Sequence, residues 1–328
     1  MDIRQRIESE EAAMLSPRAV RSALSEGRAE PEEPHPYRTA FQRDRDRILH
    51  SKAFRRLAHK TQVFMAPEGD HYRVRLTHTL EVTQIARTLA KALRLNEDLT
   101  EAICLGHDLG HTPFGHLGEQ AIADYIGRPF KHNEQSLRIV DVLETRGSRP
   151  GQPGLNLTGE VRDGILNHTW SMPDPSTLEA QVARFADRIA YISHDIDDAI
   201  RAGVLRESDL PEVTNKVLGE SPSERIDTLV GSLVETSTED QVKMSIQVSD
   251  AMAETRSFMF NRVYMRPEMK PEHDRAKSLL EGLLAHYTAS PDQVPGAADD
   301  PETRIVDYVA GMTDRFALRE YERLIGWE

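Results

Sequence analysis

The 328-residue chain has one cysteine, Cys104, so no internal disulfide can staple it and thiol redox chemistry lacks a second sulfur. The apolar neighbours Ile103 and Leu105 mark Cys104 as a small buried hydrophobe. Long apolar runs are missing too: charges are spread through Met1 to Glu30, and nothing there reads as a secretory leader or a spanning helix. The expectation is a cytoplasmic protein with no membrane partner. Positive charge is in deficit, with 41 basic against 54 acidic residues and a formal net charge of -13, which speaks against a surface built to embrace nucleic acid. What is present, 38% hydrophobic and 29% charged residues, is the balance of an ordinary globular protein long enough for a large core.

Apolar residues recur at spacings of three and four nearly everywhere and strict alternation is rare, so the fold class read from the sequence is all-α, without a sheet. Val82, Ile85, Ala86, Leu89 and Leu93 form one stripe, and Asn96 is placed to cap a second helix running through Ala102, Ile103 and Leu105. Further helical stretches run from Glu134 to Leu143, Leu178 to Ile200, Gln241 to Tyr264 and Pro301 to Ile325. Breaks rich in proline, glycine or acid fall at Glu30–Pro36, Arg149–Gly154 and Ala289–Thr303, with a weaker one near Gly219. The segment from Arg38 to Lys60 runs against the average charge, carrying Arg38, Arg43, Arg45, Arg47, Lys52, Arg55, Arg56 and Lys60 against Asp44 and Asp46. By itself such a run reads as a solvated helix face with mixed charge pairs.

The chemistry concentrates in Ile103 to Glu119, ICLGHDLGHTPFGHLGE, where His107, Asp108, His111 and His116 crowd among glycines. His107 and Asp108 are adjacent where a helix should end, and a mixture of imidazole and carboxylate is what a divalent ion at an enzyme site takes. His78 in RLTHTLEV lies near the start of the preceding helix, and antiparallel packing brings it beside the end of the His107 helix. Asp187 in ARFADRIAY is a carboxylate amid apolar residues; a metal would offset its burial, as would an ion pair with Arg184 or Arg188.

Taken together, His78, His107 with Asp108, and Asp187 resemble the H…HD…D pattern of the HD superfamily of helical metal-dependent phosphohydrolases. Within residues 34–205, the strings HPYRTAFQRDRDRILHSKAFRRLAHKTQVF, EGDHYRVRLTHTLEV, LNEDLTEAICLGHDLGHTPFGHLGE and ADRIAYISHDIDDA resemble the bacterial deoxyguanosinetriphosphate triphosphohydrolase-like branch. DYVAGMTDRFALREY near the C-terminus shares the likeness. The implied organisation is an N-terminal arm over 1–36, an HD core with metal and nucleotide site over 37–205, and additional C-terminal helices over 206–328.

The resemblance implies hydrolysis of a dNTP to deoxynucleoside and inorganic triphosphate, with water attacking the α-phosphorus. It implies one divalent ion, Mn²⁺, Mg²⁺, Fe²⁺, Co²⁺ or Ni²⁺, held by His78, His107, Asp108 and Asp187. His116 and Glu119, three apart on one face if a helix starts at Pro113 or Phe114, then form a dyad that orients or deprotonates the water. His111 and His132 resemble histidines lining the same pocket, although Pro129 stands where the motif around His132 has glycine, and His132 also fits a surface histidine. Arg75 resembles the arginine at the α-phosphate, and the basic run before the metal helices is expected to serve the triphosphate. Arg188 is a candidate for the outer phosphates at a position where many bacterial relatives carry an acidic residue and the mammalian enzyme a lysine. Gln62 and Asp195 resemble the pair that holds the 3′-hydroxyl, and Tyr191 the ring that excludes a 2′-hydroxyl; Tyr191 also fits a core aromatic. A homo-oligomer, tetramer or hexamer, with a dNTP activator is implied as well. The other readings are an HD nucleotidase or phosphodiesterase, and a dNTP-binding regulator or single-stranded nucleic-acid binder without turnover.

Overall fold

A computed structural model describes residues 1–62, 73–146, 152–264, 266–296, 298 and 300–326. Parts of the breaks at Arg149–Gly154 and Ala289–Thr303, and of the string EGDHYRVRLTHTLEV, lie outside the described residues. The α-helices are, in order, α1 (Ile3–Met14), α2 (Ala40–Leu49), α3 (Lys52–Arg56), α4 (Arg75–Ala92), α5 (Glu97–Gly106), α6 (His116–Ile126), α7 (His132–Arg138), α8 (Gly159–Asn167), α9 (Leu178–Arg201), α10 (Pro222–Thr236), α11 (Ile246–Met259), α12 (Lys270–Ala289), α13 (Pro301–Ala310) and α14 (Asp314–Leu324). Among the described residues there are isolated bridges but no strand, so the all-α expectation holds.

Local chemistry sets the ends of these helices. Asn96 accepts the Leu99 amide at 3.1 Å and starts α5 as expected, and Thr177 accepts the Ala180 amide at 3.2 Å to start α9. The stretch from Glu134 to Leu143 is α7 continued by a wider π turn over Ile139–Leu143, and α11 is extended likewise over Phe260–Tyr264. The helical stretch expected from Pro301 to Ile325 is present as two helices, α13 and α14. Thr313 accepts the Phe316 amide at 3.2 Å and so caps a new start rather than continuing the old helix.

Helices α4, α5 and α9 pack against one another. Their facing residues, among them Ile85, Leu89, Leu99, Ile103, Ile189 and Ile192, are essentially fully buried, each contributing roughly 2 kcal/mol of apolar transfer free energy. A second apolar cluster joins α12, α13 and α14 to Phe114, Ala121 and Ile122, so α6, which opens with His116, packs on the C-terminal helices. No helix of the described residues is long and apolar enough to cross a membrane. Cys104 is fully buried, and burial pushes its thiol up, away from nucleophilic use.

Candidate metal and phosphate site

Helix α5 ends at Gly106 with His107 as its C-cap, and the His107 ring turns back so that Nδ1 donates to the Cys104 carbonyl at 2.6 Å. That bond keeps the Nδ1 proton on the Cys104 side and turns Nε2, which is buried and lacks a hydrogen-bond partner, toward the carboxylates as the atom that can shed its proton and ligate. Around Nε2 stand the Asp108 Oδ1 at 3.3 Å and the Asp187 Oδ1 at 3.7 Å. His78, one turn into α4, brings its Nε2 to 3.1 Å from the same Asp187 oxygen. His78, His107 and Asp108 can each direct a ligand atom to one point, and Asp187, from α9, sets its Oδ1 beside the Nε2 atoms of the two histidines.

Arginine pairing is therefore not what satisfies Asp187. Arg184 goes to Asp174 at 2.8 Å and to the Asn167 carbonyl, while Arg188 lies over the Trp170 ring with its guanidinium carbon 3.8 Å from the centroid. Burial works against a charged His107 ring, yet Asp108 and Asp187 outweigh it and raise His107 to about 9. Burial likewise opposes both carboxylates; the His107 and His111 rings hold Asp108 well below its usual range, and His107 and His78 do the same for Asp187. A pocket of two anionic oxygens that holds a proton on a buried imidazole fits a divalent cation in that proton's place.

Beyond Asp108 lies a second cluster centred on Glu119. Its Oε1 is 2.9 Å from His111 Nδ1 and 3.0 Å from His132 Nδ1, and its Oε2 is 3.5 Å from His116 Nδ1. The ring of His111 stacks on that of His132 at 3.8 Å and reaches Asp108 at 3.0 Å through Nε2. Burial disfavours the Glu119 carboxylate, but the His111, His116 and His132 hydrogen bonds prevail and keep it well below the usual range. Burial, then Arg75 and His132, push His111 down to about 4, so it is neutral near pH 7. The helix begins at His116 itself rather than at Pro113 or Phe114, which leaves the His116 side chain 80% exposed at the mouth while Glu119 lies inside. The dyad drawn from sequence is thus one edge of a four-residue cluster in which His111 and His132 are the nearer partners of the carboxylate.

Arg75, the first residue of α4, is buried and donates through Nη1 to Asp108 at 3.0 Å, while its Nε has no partner. Further along α9, Tyr191 stacks on Tyr264 at 5.5 Å, and the Tyr264 hydroxyl donates to Asp195. Burial raises Asp195 to about 7, and its Oδ1 has no partner; the Gln62 Oε1 is similarly buried and unpaired.

The basic run does not gather at this site as expected. Arg38 pairs with Asp46, Arg43 and Arg47 with Glu32, and Arg45 with Asp98, while Lys60 donates to the backbone carbonyls of His111 and Ala310. Asp46 within the run takes Arg38, as mixed charge pairing predicts, while Glu32 and Asp98 from outside it take the others, and nothing in the run itself announces those two partners.

A model of the HD domain matches residues 75–192, and one of the Phosphohydrolase-associated domain matches residues 242–323. A deoxyguanosinetriphosphate triphosphohydrolase-like protein of Caldanaerobacter subterraneus is 51% identical over 99% of this chain and 96% of its own length. Relatives of the same description from Desulfatibacillum aliphaticivorans and Clostridium perfringens are 49% and 46% identical, each over 99% of this chain and 98% of theirs. The chain belongs to this family of HD-domain phosphohydrolases. A hypothetical protein from Aquifex aeolicus shares the fold, with a TM-score of 0.51 and 19% identity over 86% of this chain and 71% of that one.

The HD pattern misses three groups that the fold brings to the site. His168 ends α8 as His107 ends α5, with Nδ1 bonded to the carbonyl three residues back at 2.8 Å, and its Nε2 lies 3.3 Å from His132 Nε2. Burial, then His107 and His132, push it down to about 3. Trp170 beneath Arg188 and Tyr264 on Asp195 come from a loop and a π turn; for these only a histidine at a helix end offered any sequence signal.

Proposed function

We propose that this phosphohydrolase cleaves a dNTP, dGTP or a broader set, to deoxynucleoside and inorganic triphosphate by water attack at the α-phosphorus. The observation that carries the reading is the contiguity of three unlike groups: a histidine and aspartate cage fit for a divalent ion, a histidine-flanked Glu119, and a tyrosine with a carboxylate further along the same α9. Tyr191 and Asp195 follow Asp187 by one and two helical turns, about 6 and 12 Å at 1.5 Å per residue. A nucleotide laid along α9 with its phosphate end at Asp187 meets them with its sugar.

His78, His107, Asp108 and Asp187 would hold the ion, which supplies Lewis-acid polarisation of a phosphate oxygen when bound. Arg75, with donors to spare beyond Asp108, binds an oxygen on the α-phosphate. Glu119 accepts a hydrogen bond from His132 Nδ1 and lies against the Nδ1 atoms of His111 and His116, which orients those rings and leaves the exposed His116 to position or deprotonate water. Asp195 with Gln62 takes the 3′-hydroxyl, and the Tyr191 ring fills the space of a 2′-hydroxyl. Arg188, with its guanidinium carbon over the Trp170 ring, stands for the outer phosphates; burial and then the neighbouring Arg256 lower it to about 10, so it stays cationic. Assembly into a tetramer or hexamer with a dNTP activator belongs to the same proposal, read out by sedimentation with and without dNTP.

The test is product analysis by phosphorus NMR and nucleoside chromatography with Mn²⁺ or Mg²⁺ and each dNTP, singly and mixed. Inorganic triphosphate with deoxynucleoside is the expected pair. Orthophosphate or a nucleoside monophosphate would move the chain to a nucleotidase or diesterase reading.

A further inference from the structure

The string DYVAGMTDRFALREY, residues 307–321, takes no part in the site described so far, yet three of its groups reach the elements that carry the Glu119 cluster. The loop from His107 holds His111 and ends in two residues with positive φ, Phe114 at 59° and Gly115 at 57°, directly before His116 opens α6. A left-handed φ is unfavourable at phenylalanine, so this turn persists only where its surroundings impose it.

Asp314, the first residue of α14 and itself buried, imposes it. Its Oδ1 accepts the Phe114 amide at 3.1 Å, and its Oδ2 accepts the Thr61 amide at 2.9 Å and the Thr61 hydroxyl. The Phe114 ring sits in the apolar cluster made by α12, α13 and α14. Beside it, the buried Lys60 ammonium joins the His111 carbonyl to the Ala310 carbonyl, the latter at 3.0 Å. A third strut is Asp307, which takes the Arg138 fork at 2.7 and 2.6 Å and the Gln135 amide at 3.1 Å, gripping the helix that begins at His132.

We infer that Asp314 is a positioning residue: through the Phe114 amide it fixes the turn from which His116 and Glu119 enter the pocket. The C-terminal helices thereby form part of the catalytic apparatus. Helix α6 is rigid, so rotation at its entry is carried to Glu119 one turn later, and a misplacement of 1 Å at a reacting group costs about 100-fold in rate. None of the Asp314 hydrogen bonds reaches His78, His107, Asp108 or Asp187, so metal binding is independent of it. This inference rests on the reading of the Glu119 cluster as the reactive group of a phosphohydrolase.

The experiment compares the full chain with its Asp314→Asn, Asp314→Ala and Thr61→Val variants. Asparagine keeps the shape but can accept from only one of the two segments, alanine from neither, and valine loses one hydroxyl contact while leaving the Phe114 bond. Expected for Asp314→Asn is a kcat at least tenfold lower on dGTP with Mn²⁺, with KM and bound metal within twofold of the parent; Asp314→Ala falls further and Thr61→Val less. Hydrogen exchange of peptides covering residues 111–119 should quicken at least tenfold in Asp314→Ala, while those of α4 and α5 stay as they are. Undiminished kcat in Asp314→Ala, unchanged exchange in 111–119, or quickening throughout the chain each overturns the inference. A parent inert to every dNTP but active on bis(4-nitrophenyl) phosphate sinks the substrate reading alone. The same comparisons are then made on the diester, and the exchange readout needs no turnover.

Discussion

In the metal-free chain the buried His107 ring is held protonated to about pH 9 by Asp108 and Asp187, and a protonated imidazole cannot ligate. Divalent metal must therefore displace one proton whenever it binds below that pH. At pH 7 the displacement spans two pH units, about 2.7 kcal/mol, so apparent affinity at pH 7 should be about 100-fold weaker than above pH 9. Between those values it should climb about tenfold per pH unit. The assay is calorimetric titration of metal-free protein with Mn²⁺ at pH 7.0 and 8.0 in buffers of different ionisation enthalpy, which counts released protons directly. About one proton per ion is expected at pH 7, falling toward none above pH 9. An affinity flat from pH 7 to 8, with no proton released, would refute the reasoning, because binding would then take no proton from His107. Melting curves are a poorer readout. The His107 contribution to metal-free stability is complete below 6.5 and lost as pH rises through about 9, while Lys60, pushed down to about 7 by burial and then Arg56, gives a gain with rising pH in the same window.

Glu119→Gln removes a negative acceptor shared by His111, His132 and His116, none of them in the metal cage, and should lower kcat by about 10² to 10⁴ with bound metal retained by elemental analysis. Loss of the metal, or a kcat within threefold of the parent, contradicts the assignment. Tyr191→Ala should admit ribonucleoside triphosphates in a competition assay; unchanged preference moves the discrimination elsewhere. Gly110→Ala places a Cβ 2.3 Å from both the His132 carbonyl oxygen and the Ser136 amide, backbone atoms that cannot swing aside, so denaturant unfolding should show a loss of at least about 2 kcal/mol. A loss under about 0.5 kcal/mol would mean that α7 can shift freely on the loop.

Much of this protein was legible in its residues, because periodicity and capping act over one or two helical turns. The α4 stripe, the Asn96 cap and the end of α5 at His107 all follow from neighbours in sequence, and the one-turn offset from Asp187 to Tyr191 is fixed by helix geometry alone. The HD strings added the cluster of His78, His107, Asp108 and Asp187 as an expectation, and packing of α4, α5 and α9 brings those side chains together. Only tertiary structure decided how charges and rings are shared between distant segments. Glu32 and Asp98, not a ligand, answer Arg43, Arg45 and Arg47 of the basic run, and α6 starts at His116, leaving Glu119 with His111 and His132 as its nearer partners. His168, Trp170, Tyr264 and Asp314 arrive from a helix end, a loop, a π turn and the last helix. Local propensity carries no record of such meetings, because the energy that selects them is the burial of polar groups that must find partners wherever the chain returns.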